Sequence, residues 1–165
     1  MIIVLSPAMN MVERTISIPL TQPLFADRAA ELASVLSQKE LWQLESLLAV
    51  SSQLAMRSWQ YYQSFGEKGG ALPAVRAFQG RAYQNLAPGD FAREDAAHTQ
   101  KHLRIWGALC GYLRPYDGID PYRLDFACPF GKKGWEGESL YRDWGGRVCD
   151  ALYSETDTVV NLCSG

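Results

Sequence analysis

Ile2-Ile3-Val4-Leu5, cut off by Ser6-Pro7, opens the chain, and this stretch decides the fold class. Three β-branched residues in four, with no polar residue among them, predict a buried strand. Such a strand needs sheet neighbours, and three later runs are placed to supply them. Leu103–Tyr112 is apolar with two glycines and reads as strand or helix. Tyr122–Ala127 alternates as a half-buried strand does, and Thr158-Val159-Val160-Asn161-Leu162-Cys163 closes the chain as a strand with both faces apolar.

Between the first strand and Leu103 the period changes to that of helices. Phe25, Ala29, Leu32, Ala33 and Leu36 predict a helix over Asp27–Leu36. Ser37-Gln38-Lys39-Glu40 has the S-x-x-E form of a capping box, followed by the stripe Leu41, Leu44, Leu47/Leu48. A third helix from Ser51 or Ser52 carries Leu54, Ser58, Tyr61/Tyr62 and Phe65 and stops at Gly66 and Gly69-Gly70. Pro73 starts a short helix through Phe78, and Asp90–His98 forms another. Met9–Gln22, Pro115–Asp120 and Pro129–Gly137 read as loop and turn. Ser139 caps a helix in which Leu140, Trp144, Val148 and Leu152 share one face. The expected fold is α+β, a small mixed sheet packed by helices with a helix-rich N-terminal half, in one domain over residues 1–165.

Composition narrows the function classes. At 47% hydrophobic and 21% charged residues, the 165-residue chain is globular and neither disordered nor fibrous. Apolar runs such as Trp106–Leu113 fall short of the ~18 residues of a membrane span. No basic region precedes Ile2, so no signal peptide is visible, and the reading is a cytoplasmic protein. The four cysteines, Cys110, Cys128, Cys149 and Cys163, are widely spaced and are expected to be reduced. Net charge is −2, but residues 98–133 carry 6 basic and 3 acidic side chains, the only basic stretch.

That stretch holds the candidates for an anionic partner: Lys101, Arg104, Arg114, Arg123, Lys132 and Lys133, with Tyr122 among the tyrosines able to stack on bases. A structural reading stands beside it, in which Arg114 and Arg123 pair with Asp117, Asp120 and Asp125 to hold a turn. Core packing is the expected job of at least two of Tyr112, Tyr116 and Tyr122. His98 and His102 are spaced i, i+4, as helical metal ligands require, but no further ligand follows at metal spacing, so no metal site is assigned. No nucleophile elbow surrounds Ser6 and no phosphate loop surrounds the glycines, so no catalytic residue is assigned and the expectation is a protein that is not an enzyme.

The same residues carry a family resemblance. Ile3-Val4-Leu5-Ser6-Pro7-Ala8, Ala77-Phe78-Gln79-Gly80-Arg81-Ala82-Tyr83, and the run from His102-Leu103-Arg104-Ile105 through Leu113-Arg114-Pro115-Tyr116-Asp117 to Pro121-Tyr122-Arg123-Leu124-Asp125 stand in order. Leu140-Tyr141-Arg142-Asp143-Trp144 and Val159-Val160-Asn161-Leu162 follow. Together they resemble the YaaA family of bacterial peroxide-stress proteins, end to end. The resemblance implies a response to hydrogen peroxide, DNA binding by a basic cleft and limitation of iron-dependent damage. It also implies that Ser6, Tyr83 and Asn161 line that cleft. The departures are Met9 for a family lysine, Gln79 for a commonly basic residue, Arg81 for an acidic one, and Ala108-Leu109-Cys110-Gly111 for Gly-Leu-Tyr-Gly.

Family chains continue beyond the strand at Thr158–Cys163. The expectation that follows is an uncovered sheet edge and self-association through it. A degenerate member serving only as an interaction module, and a metal-handling protein, are the alternative functions.

Overall fold

The computed structural model describes residues 1–67, 72–128 and 139–163. Its centre is a four-stranded mixed sheet. The strands are β1 (Ile2–Leu5), β5 (Leu103–Gly107), β6 (Gly111–Leu113) and β8 (Val159–Asn161), in the order β6-β5-β1-β8. β1 pairs in parallel with both β5 and β8, and β5 turns back into antiparallel β6. Ile2 and Val4 are buried, as a continuous apolar strand between two neighbours should be. Two small ladders lie outside this sheet. β2 (Asn10–Met11) pairs with β4 (Phe78–Gln79), and β3 (Leu72–Pro73) pairs with β7 (Gly118–Ile119).

The helical half follows its apolar spacing. α1 (Ala26–Ser37) buries Ala29, Leu32, Ala33 and Leu36. α2 (Leu41–Leu48) and α3 (Ser52–Gln63) pack on one another, and α3 also meets α1. The short α4 (Ala74–Ala77) begins after Pro73 and α5 (Arg81–Leu86) after Gly80. α6 (Arg93–His102) runs directly into β5. α7 (Leu140–Trp144) and α8 (Arg147–Glu155) bury Leu140, Trp144, Val148 and Leu152. One helical stripe thus spans two helices, because Gly145, at φ +48°, breaks the ladder between them. Among the described residues no helix is long and apolar enough to cross a membrane.

Three local expectations are corrected. Tyr122–Ala127 forms no strand. Its alternation is real, with Tyr122 and Leu124 buried, but among the described residues no neighbouring backbone pairs with it. The capping box lies one turn later than Ser37. Glu40 is the N-cap of α2 and exchanges hydrogen bonds with Gln43, while Ser37 ends α1 and donates to the Ser34 carbonyl. The closing strand is not buried on both faces. Among the described residues β8 pairs with β1 alone, and Val160 is 37% exposed and Asn161 exposed. The expected loop at 129–137, with Lys132 and Lys133, and the Gly69-Gly70 stop lie outside the described residues.

Candidate functional site

β1 has parallel neighbours on both sides, and the carboxyl end of such a strand is where open α/β sheets form their binding crevice. Here the chain leaves β1 through Ser6-Pro7-Ala8 and enters β2, whose Asn10 lies opposite Gln79 of β4. A cleft of about 280 Å³ opens beside this ladder. Met9, Asn10, Met11 and Glu13 line it from the first segment and Gln79 from β4. Arg57, Ser58 and Tyr61 of α3 form one wall, and Tyr122 and Arg123 form another.

The cleft is polar, and two of the residues that line it carry a buried donor without a partner. Nη1 of Arg123 donates to the Met9 carbonyl at 3.3 Å, while its buried Nε has no partner. Tyr122 is 4% exposed, and its hydroxyl is also without a partner. That hydroxyl sits against Gly107 at the end of β5, where a Cβ would lie 2.5 Å from it, so any larger residue there would have to displace the tyrosine. Burial, reinforced by Cys110 and two other tyrosines, pushes the Tyr122 phenol well above its ordinary range. Buried donors in folded proteins nearly always have an acceptor, so the unpartnered Nε of cleft-lining Arg123 favours a ligand or water with an acceptor oxygen, while the Tyr122 hydroxyl lies in the core against Gly107.

Tyrosines also brace the floor. The Tyr83 hydroxyl donates to the Ser6 carbonyl at 2.7 Å, and the Tyr62 hydroxyl donates to the Arg123 carbonyl. Phe78 packs against both Tyr83 and Tyr122, with ring centroids 5.5 and 6.3 Å away. Tyr61 of the α3 wall donates to a Glu13 carboxylate oxygen, which lies 3.6 Å from the Arg57 guanidinium. Burial first, then the Glu13 hydrogen bond, raise the Tyr61 phenol above its usual value.

Among the described residues, the cations predicted for one anionic surface do not share it. Arg104 is 5% exposed and is not a surface residue. Its guanidinium donates to the Tyr112 hydroxyl at 2.8 Å, to the Gln100 and Leu103 carbonyls, and to Glu155, while lying over the Tyr112 ring. Burying a guanidinium is costly unless its donors are matched, and here the fold matches them. Arg114 faces a different cleft, of about 360 Å³, with Gln22, Asp27, Tyr112 and Glu155. It pairs with Asp117 at 3.1 Å, which is the turn-holding role. The fully buried Asp117 carboxylate also accepts from Thr21 and from the Arg114 amide. Arg123 makes no such pair with Asp120 or Asp125; their carboxylates accept from the Gly66 and Ala127 amides. Lys101 is exposed on the last turn of α6.

Of the residues marked by resemblance, Ser6 and Tyr83 meet directly and Asn161 lies opposite Val4 of β1. The departing positions Met9 and Gln79 line the cleft itself, and Arg81 is exposed at the start of α5. Tyr112 and Tyr122 are core residues, as expected of two of the three tyrosines. The His98 and His102 rings lie 4.5 Å apart on α6, tilted at 40°, with His102 Nδ1 3.0 Å from the Met1 carbonyl. Among the described residues no cluster of three or more His, Cys, Asp or Glu side chains is positioned to hold a metal.

Sequence reasoning misses Glu13 and Arg57 and places Tyr61 on a buried stripe. The signal for the α3 pair is the i, i+4 spacing of Arg57 and Tyr61, on a different face from buried Ser58 and Tyr62.

A family model described as "Peroxide stress protein YaaA" matches residues 1–165. The chain is 36% identical over 174 residues to a UPF0246 protein of Saccharophagus degradans, covering 99% of this chain and 67% of that protein. A UPF0246 protein of Hahella chejuensis is 35% identical over 175 residues, with the same coverage of each. One from Clostridium beijerinckii is 32% identical over 172 residues, covering 99% of this chain and 65% of its own length. The chain spans about two thirds of the length of these curated relatives.

Proposed function

Since this chain belongs to the peroxide stress protein YaaA family, we propose that it protects against hydrogen peroxide in the cytoplasm by holding a phosphate group of DNA in the cleft beyond β1. Arg57 and Arg123 are the contacting cations. The observation that carries this reading is the Arg123 guanidinium, which lines the cleft with its Nε unpaired. Arginine presents donors in a planar fork suited to phosphate oxygens. Shielding of DNA is how the protein limits iron-dependent damage in this reading. The role is binding, with no bond made or broken.

The cellular test is survival under hydrogen peroxide. Bacteria lacking their own family protein regain resistance when they express this chain, and the Arg57→Ala, Arg123→Ala double variant, at equal level, does not restore it. Equal resistance with both chains removes the cleft from the function.

Self-association through β8 is a separate reading, favoured by the exposure of Val160 on the strand and of Leu162 just after it, where β1 is the one strand neighbour among the described residues. Sedimentation over a range of concentrations tests it, and a monomer throughout refutes it.

A further inference from the structure

The wall of the cleft contains a charge that works against an anionic ligand. Glu13 follows β2, in a segment anchored where the Val12 amide donates to the Ala77 carbonyl at 2.8 Å. One oxygen of its carboxylate accepts from the Tyr61 hydroxyl and lies 3.6 Å from Arg57 Nε. Arg57 and Tyr61 stand i, i+4 on α3, so both donors are held on one face by the helix. A phenol and a guanidinium converging on one carboxylate oxygen are the same donors that would converge on a phosphate oxygen.

We propose that Glu13 is a built-in competitor: its carboxylate occupies the anion position on Arg57 and Tyr61 and is displaced when a phosphate-bearing ligand enters the cleft. This rests on the reading of the cleft as an anion site and adds its regulation. The energetics suit displacement. The Glu13 and Arg57 side chains are 52% and 57% exposed, and exposed ion pairs are weak because water and salt screen them. A neutral ligand has nothing to exchange for the broken pair, whereas a phosphate replaces it with at least one charge-assisted hydrogen bond. Glu13 therefore sets specificity as well as affinity, discriminating against neutral ligands that merely fit.

The experiment compares wild type, Glu13→Gln, Arg57→Ala and Glu13→Gln/Arg57→Ala for binding of a short labelled DNA duplex. Glu94→Gln serves as control, since it makes the same change of net charge on the first turn of α6. The expected result is binding about threefold tighter for Glu13→Gln, an effect of the size of one exposed ion pair. Glu94→Gln is expected to match wild type, and the gain from Glu13→Gln is expected to vanish when Arg57 is absent. No gain from Glu13→Gln, or an equal gain from Glu94→Gln, overturns the competitor while leaving DNA binding in place. Should no variant bind DNA, the DNA reading itself fails. The competitor is then judged by calorimetry with inorganic pyrophosphate, where Glu13→Gln must again bind more tightly than wild type or the proposal is wrong.

Discussion

The Tyr83 hydroxyl hydrogen-bonds the Ser6 carbonyl across 77 positions of sequence, tying α5 to the segment that leaves the central strand. It joins two of the three positions that the family resemblance placed around a cleft. Tyr83→Phe keeps the ring against Phe78 and removes only this bond. The expected cost is about 1 kcal/mol, the usual net value of one hydrogen bond. Denaturant unfolding measures it, and an unchanged midpoint would show that water replaces the hydroxyl without loss.

Arg104 provides the sharpest contrast between charge in the sequence and charge on the surface. Arg104→Ala removes the ion pair to Glu155 and the hydrogen bond to the Tyr112 hydroxyl and is expected to cost about 2 kcal/mol or more. Lys101→Ala, on the exposed last turn of α6, is expected to stay within about 0.5 kcal/mol of wild type. Thermal unfolding of the two variants separates them directly. Equal midpoints would contradict the buried network.

Two glycines separate backbone strain from crowding. Gly66 and Gly111 both have positive φ, +87° and +68°. A Cβ on Gly66 meets nothing within 4 Å, while one on Gly111 meets the Trp144 ring at 2.7 Å. Gly66→Ala is expected to cost about 1 kcal/mol from conformation alone. Gly111→Ala is expected to cost at least about twice that, because the indole, whose Nε1 donates to the Ala108 carbonyl, has to move. Similar losses in equilibrium unfolding would refute the tight packing of Trp144 on Gly111.

The thiols predict an alkaline limit to stability. Burial, helped by Asp117 and Asp120, pushes Cys110 from 9.0 up to about 12. The unfolded chain therefore releases this proton first as pH rises, so stability is full below about pH 9 and declines between 9 and 12. Tyr112, raised to about 12 chiefly by burial, adds to the same decline. Cys110→Ala should flatten the slope of stability against pH in that window. In the native protein at neutral pH a thiol reagent should modify exposed Cys149 and spare Cys110.

What is legible in the sequence follows from how local each feature is. β1, α1 and the stripe Leu140-Trp144-Val148-Leu152 can be read because apolar period reports burial directly. Tyr122–Ala127 misleads because alternation reports which side chains are buried, and says nothing about whether a backbone partner lies alongside. The apolar run from Leu103 does form a strand, β5, which Ile3 and Leu113 flank in register. Arg104 looks like surface because its partners, Tyr112 and Glu155, come from β6 and α8 and no spacing rule connects them. The cleft is half legible. Motif positions mark Tyr122 and Arg123 in its lining and the Ser6–Tyr83 bond outside that lining, while the α3 wall with Arg57 and Tyr61 is assembled only by packing.

The salt dependence of DNA binding tests the central claim most directly. A labelled duplex is titrated with wild type, Arg57→Ala, Arg123→Ala and Lys101→Ala at several salt concentrations. Removing one cation from a phosphate should lower the slope of log K against log salt by ~0.9. The account predicts that drop in both arginine variants and none in Lys101→Ala. Unchanged slopes in both arginine variants, or a drop confined to Lys101→Ala, would contradict it.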